Sequence, residues 1–119
     1  SFKYSNLKLA NRDIALGDDI NVSIDLQNTG SVKATEIVQL YIKDIFGDVT
    51  RPVKELKSFE RVTLKSGQTK TISFTLSSND LHFHNRDLEK VVEPGRFKLW
   101  IARHANDESN GVDFDLIAR

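Results

Sequence analysis

Residues 20–26 alternate without a break, Ile20, Val22, Ile24 and Leu26 on one side and Asn21, Ser23 and Asp25 on the other. This two-residue period predicts a strand with one face on a core and one in water. Residues 34–44 predict a strand of different character: Val38, Leu40 and Ile42 share one face and Ile37, Gln39 and Tyr41 the other, so both faces are partly apolar and the strand belongs at the centre of a sheet. Between them, Gln27 to Ser31 contain the asparagine and glycine expected to supply positive φ at a reversal. Glu60–Leu64 and Thr69–Leu76 alternate again around a Lys65–Gln68 turn, which reads as the clearest hairpin in the chain. Phe97, Leu99 and Ile101, then Val112, Phe114 and Leu116, predict two further strands. A first strand over Phe2–Ala10 carries a phase slip near Ser5 and Asn6 that suggests a bulge. Ile14, between turn-rich stretches, is expected as a loop anchor, and Ser77–Leu81 as a single helical turn capped by Ser or Asp. No segment sustains an i, i+3, i+4, i+7 apolar pattern. About seven to eight short antiparallel strands separated by turns predict an all-β sandwich.

A length of 119 residues fits one domain, residues 1–119, around one core. Seventeen basic and seventeen acidic residues are interspersed, so no concentrated field points to nucleic acid or an anionic membrane as partner. Cysteine is absent, which removes disulfides, thiolate nucleophiles and thiolate metal sites together. No apolar run reaches the roughly 20 residues of a membrane helix. Methionine is absent too, so the chain is expected to be processed or to be a piece of a longer polypeptide.

The acids Asp18, Asp19, Asp25, Glu36, Asp44 and Asp48 fall in turns or at polar strand positions and read as solvated surface groups rather than a catalytic pair. Glu55, flanked by Val53 and Leu56 and close to Lys54 and Arg51, is expected to hold an ion pair that fixes its loop against a neighbour. His82 and His84 would share a face of an extended segment near Asp80 and Asp87. Two imidazoles do not close a zinc or calcium site, so an ordinary surface pair is favoured, with no metal and no cofactor. Trp100 is out of phase with Phe97, Leu99 and Ile101 and faces away from the core, as do Tyr41 and Phe83. Outward rings of this kind can stack on carbohydrate; the favoured alternative is that a strand, a loop or a neighbouring domain covers them.

The stretch Arg51-Pro52-Val53-Lys54-Glu55-Leu56-Lys57-Ser58-Phe59 has neither helical nor strand period, and its proline argues for a structured connection outside any inner strand. Together with Asn28-Thr29-Gly30, Glu36 to Tyr41 and Val92-Glu93-Pro94-Gly95, it resembles the C-terminal fibronectin type III-like domain of family 3 glycoside hydrolases, the β-glucosidase and β-xylosidase group. The resemblance covers nearly the whole chain and implies an immunoglobulin-like sandwich in which the Asn28–Gly30 turn passes between sheets. It implies a non-catalytic accessory role, the catalytic carboxylates belonging to other domains of a parent glycosidase, and a periplasmic or extracellular setting. The interdomain contact surface is then expected at Arg51, Pro52, Lys54, Glu55, Leu56 and Phe59, with Phe46 and Val49 nearby, Arg51 offering a planar fork and Leu56 and Phe59 anchoring by burial. Residues 101–109 stand where relatives more often carry a small Gly- and Ser-rich turn. The alternatives are a carbohydrate-binding module gripping sugar through Trp100, Tyr41 and Phe83, and an adhesion-type immunoglobulin-like domain.

Overall fold

The computed structural model describes residues 1–45, 54–81, 83–84, 90–91 and 95–118. Within them the strands run in the order β1 (Phe2–Leu9), β2 (Asp13–Ala15), β3 (Asp19–Asn28), β4 (Ala34–Asp44), β5 (Lys54–Leu64), β6 (Thr69–Ser77), β7 (Phe83–His84), β8 (Lys90–Val91), β9 (Gly95–Ala102) and β10 (Gly111–Ile117). One sheet has the order β1-β3-β6 and the other β2-β10-β9-β4-β5, with β7 and β8 forming a separate two-residue ladder. Eight strands therefore build the two layers. The inner faces meet through Ile20, Val22, Ile24, Leu26, Ile72 and Phe74 on one side and Val38, Leu40, Ile42, Leu64, Phe97, Leu99, Ile101, Phe114 and Leu116 on the other. Phe97 and Phe114, direct cross-strand partners, stack with centroids 5.4 Å apart. The outer face of β3 and β6 is polar, and Asp25 Oδ1 accepts from Thr71 Oγ1 while Asn21 Oδ1 accepts from Thr75 Oγ1 across it. As expected, β4 is central, hydrogen-bonded to β5 on one side and β9 on the other.

Several expectations hold in detail. β1 shifts register between Ser5 and Lys8, where Asn6 takes φ 56° and donates Nδ2–H to Asp25. Ser77 caps a single 3₁₀ turn over Ser78–Asp80, its Oγ accepting from the Asn79 amide. Others are corrected. Ile14 lies in the short strand β2 instead of a loop and pairs parallel with β10, so the sheet is not wholly antiparallel. The β5 and β6 segments are not a hairpin: they are edges of different sheets, and Lys65–Gln68, with Gly67 at φ 77°, is a corner between layers. Alternation reports which face of a strand is buried and is silent about its partner. The proline-containing stretch was expected to be a connection, yet from Lys54 onward it is strand β5.

The 29–33 corner does pass from one sheet to the other, and it does so without the positive φ expected of Asn28 and Gly30. Asn28 is fully buried, and its side chain does that work instead. Nδ2 donates to the carbonyls of Val32 (2.9 Å) and Leu64 (3.0 Å), and Oδ1 accepts from the Gly30 amide (2.9 Å). Its own amide donates to Gln68 O, and its carbonyl accepts from the Gly67 amide. One residue thus ties the β3–β4 corner to the β5–β6 corner with every polar group used. Asn28→Ala should lower stability by about 2–4 kcal/mol through the buried groups it orphans. Asn28→Asp should lose more, because a carboxylate cannot donate to two carbonyls. A lower urea midpoint at unchanged slope would register both losses.

Candidate functional site

β5 is the edge strand of the larger sheet, and its outer face is set by a bulge. Leu40 pairs with Ser58 but Tyr41 pairs with Leu56, leaving Lys57 as the extra residue. Leu56 and Phe59, three apart, would otherwise point to opposite faces. With Lys57 looped out, both join Lys54, Arg61 and Thr63 on the outer face, opposite Tyr41, Gln39, Lys43, Ile37 and Thr35. Leu56 is 49 % exposed, Phe59 65 % and the neighbouring Ile37 39 %. The three make an apolar strip open to solvent, so the anchoring by burial expected of Leu56 and Phe59 is not met within this chain. Ile37 was legible as an outer-face residue but carries no motif that marks it as part of a surface. Among the described residues Glu55 pairs with Lys57, 3.1 Å away on its own strand, and not with a neighbouring element as expected. Arg51, Pro52, Phe46 and Val49 lie outside the described residues, as do His82, Asp87 and Asp48.

One strand further in, the same face is closed. Trp100 on β9 lies opposite Tyr41 on β4, and the two are only 4 % and 9 % exposed. The Lys54 ammonium sits 4.4 Å from the Trp100 ring centroid and 5.3 Å from that of Tyr41, and the Lys98 ammonium lies 5.4 Å from that of Trp100. Lys54 Nζ also donates to the Ala105 carbonyl and pairs with Glu108 Oε2 at 2.9 Å. Tyr41 donates its hydroxyl to Gln39, whose Nε2 donates to Arg103 O. Gly111 is required beside the indole: a Cβ there would lie 2.8 Å from Trp100 Cδ1. Both rings face outward as the sequence implied, yet both are nearly buried, with the Lys54 ammonium over them. Phe83 is described in its backbone alone. The lysine cover is the feature sequence reasoning missed, since residues 54 and 100–108 are brought together only by the β5-β4-β9 order.

Among the described acids Asp44 is buried and the Glu36 side chain is only 15 % exposed, which corrects their assignment to solvated positions. Glu36 accepts from the Tyr4 hydroxyl at 3.0 Å and pairs with Arg103 at 3.3 Å. Burial, then the charge of Glu36, pushes the Tyr4 hydroxyl far above the ordinary tyrosine range. Asp44 lies eight residues along the same strand, roughly 27 Å away at the rise of a β-strand. Glycoside hydrolysis needs two carboxyl groups within about 5–9.5 Å, which these two cannot supply. Among the described residues no three His, Asp or Glu side chains gather to hold a metal.

The Lys54 hydrogen bond, reinforced by the charges of Lys54, Lys43 and Lys98, holds the Glu108 carboxyl below its ordinary 4.5. A carboxyl depressed in the folded state stabilises above its unfolded pKa and loses that contribution as pH falls through the folded value. Emission from Trp100, the single tryptophan, should therefore stay constant through neutral pH and shift only below about 4.5, a step that Glu108→Gln removes. Gly111→Ala should cost about 1–3 kcal/mol by overpacking, with displacement of the indole visible as a red-shifted emission.

A profile of the family described as "Fibronectin type III-like domain" matches residues 36–105. A β-xylosidase of Formosa agariphila is 48 % identical over 99 residues, 83 % of this chain and 14 % of its own length. A periplasmic β-glucosidase of Salmonella typhimurium is 34 % identical over 85 % of this chain and 13 % of its own. A crystal structure of β-glucosidase from Listeria innocua with gluconolactone superposes with TM-score 0.82 at 33 % identity, covering 98 % of this chain and 16 % of that one. The chain thus spans about one-seventh of the glycosidases it matches, and it belongs to the fibronectin type III-like domain family in the form those β-glucosidases and β-xylosidases carry.

Proposed function

We propose that this chain is a non-catalytic accessory domain of a β-glucosidase- or β-xylosidase-type glycosidase, which docks on the rest of that polypeptide and stabilises it. The observation that carries the reading is the strip formed by Ile37, Leu56 and Phe59, apolar and open, Phe59 being the one exposed aromatic side chain among the described residues. Exposed apolar side chains gathered on one face mark an interaction surface, and a chain spanning about one-seventh of its relatives has most of their length as its nearest candidate partner. Lys54 and Glu55 border the strip. Arg51, Pro52, Phe46 and Val49 belong to the same proposed surface by sequence. The hydrolytic carboxylates come from the partner domains, and the similarity to a periplasmic β-glucosidase supports a periplasmic or extracellular setting.

Phe59→Ala tests this in two contexts. In the 119-residue chain, where Phe59 is exposed, the change should alter stability by less than about 0.5 kcal/mol. In the complete glycosidase it should cost about 1–3 kcal/mol, with Arg51→Ala acting in the same direction and the pH profile of hydrolysis unchanged. Equal effects in chain and complete enzyme would contradict docking.

A further inference from the structure

The register of the larger sheet places Lys43 opposite Lys54 on one side and opposite Lys98 on the other. Like charges facing across strands repel, so a row of three ammonium groups on one face needs a compensating device. Lys54 provides it by turning over Trp100 and Tyr41 and ending on the Ala105 carbonyl and Glu108. Among the described residues no hydrogen bond pins the indole: Trp100 Nε1 is buried and none of them partners it. The ring is held by what packs against it, the Lys54 ammonium over the ring and the bare Cα of Gly111 beside Cδ1 and Nε1. The device also sits at a structural junction. Lys54 is the first residue of an edge strand paired on one side only, two residues before Leu56 and three before the Lys57 bulge that turns Phe59 outward. An edge strand's end lacks the second neighbour that would stop it fraying. The clasp supplies that missing constraint from a loop some fifty residues away in sequence.

We propose that Lys54 is the positioning residue of the docking strip: clasped to the loop at Ala105 and Glu108, it fixes the start of β5 and thereby the line along which Leu56 and Phe59 meet the partner surface. This rests on the docking reading above. The clasp is more than a stabilising pair, because its loss moves the strip without removing any strip side chain.

The test uses the 119-residue chain and the complete glycosidase side by side. In the chain, Lys54→Ala should keep the strand circular dichroism while red-shifting Trp100 emission and raising its quenching by acrylamide. Lys54→Arg, which keeps a cation over the ring and a donor for Glu108, should restore both. Lys54→Gln retains the stem without the charge and gives the same readout should the alanine variant fail to fold. In the complete enzyme, Lys54→Ala should lose more stability than in the chain, and that excess should vanish when Phe59→Ala is already present. Unchanged Trp100 emission would overturn the clasp. A shifted emission with equal stability losses in the two contexts, while Phe59→Ala keeps its excess, would overturn positioning alone. Absence of an excess for Phe59→Ala itself would sink the docking reading and the positioning role with it.

Discussion

The sandwich is closed at one end by a single buried amide. Asn28 uses its side chain to hold the chain as it leaves β3 for the other sheet, and its main chain to hold the second corner, where β5 gives way to β6. Two crossings of the same gap are thereby locked to each other, which fixes the spacing of the sheets and with it the phase of β4 and β5. A buried polar group is tolerated only when fully paired, and here the pairing is what specifies the corner. Residues with positive φ are unnecessary at 28 and 30 because the side chain stands in for a backbone turn.

With that frame in place, the outer face of the larger sheet divides into two regions of different chemistry. Toward β9 the aromatic pair Trp100 and Tyr41 lies beneath the Lys54 ammonium and is nearly buried. Toward the β5 edge, one inserted residue at Lys57 brings Leu56 and Phe59 onto the same face beside Ile37 and leaves them in water. The opposite sheet presents threonine–aspartate and threonine–asparagine pairs outward, and none of the exposed large hydrophobics among the described residues lies on β1, β3 or β6. In the proposed docking, the polar sheet would face solvent and the β4–β5 edge the partner surface.

Much of this was legible in the residues. The alternation in β3, β9 and β10, the two-faced β4, the slip at Asn6 and the capped turn at Ser77 follow from side-chain period and local hydrogen-bonding chemistry, which act over a few residues. Pairing does not. Glu60–Leu64 and Thr69–Leu76 look like hairpin arms because each alternates, although their turn changes sheets. The bulge at Lys57 erased the period of residues 51–59 and made a strand read as a connection. The Lys54 clasp depends on residues fifty apart meeting through strand order, so no local pattern could announce it, and the family resemblance marked the motif without showing that its lysine turns inward over tryptophan.

The central claim is that Leu56, Phe59 and Ile37 are exposed only while the domain stands alone. Hydroxyl-radical footprinting of the 119-residue chain and of the proposed parent glycosidase measures this directly, with the outer face of β3 and β6 as internal control. The account predicts strong protection of Leu56 and Phe59 in the complete protein and unchanged labelling on the polar sheet. Equal labelling of the strip in both would contradict it.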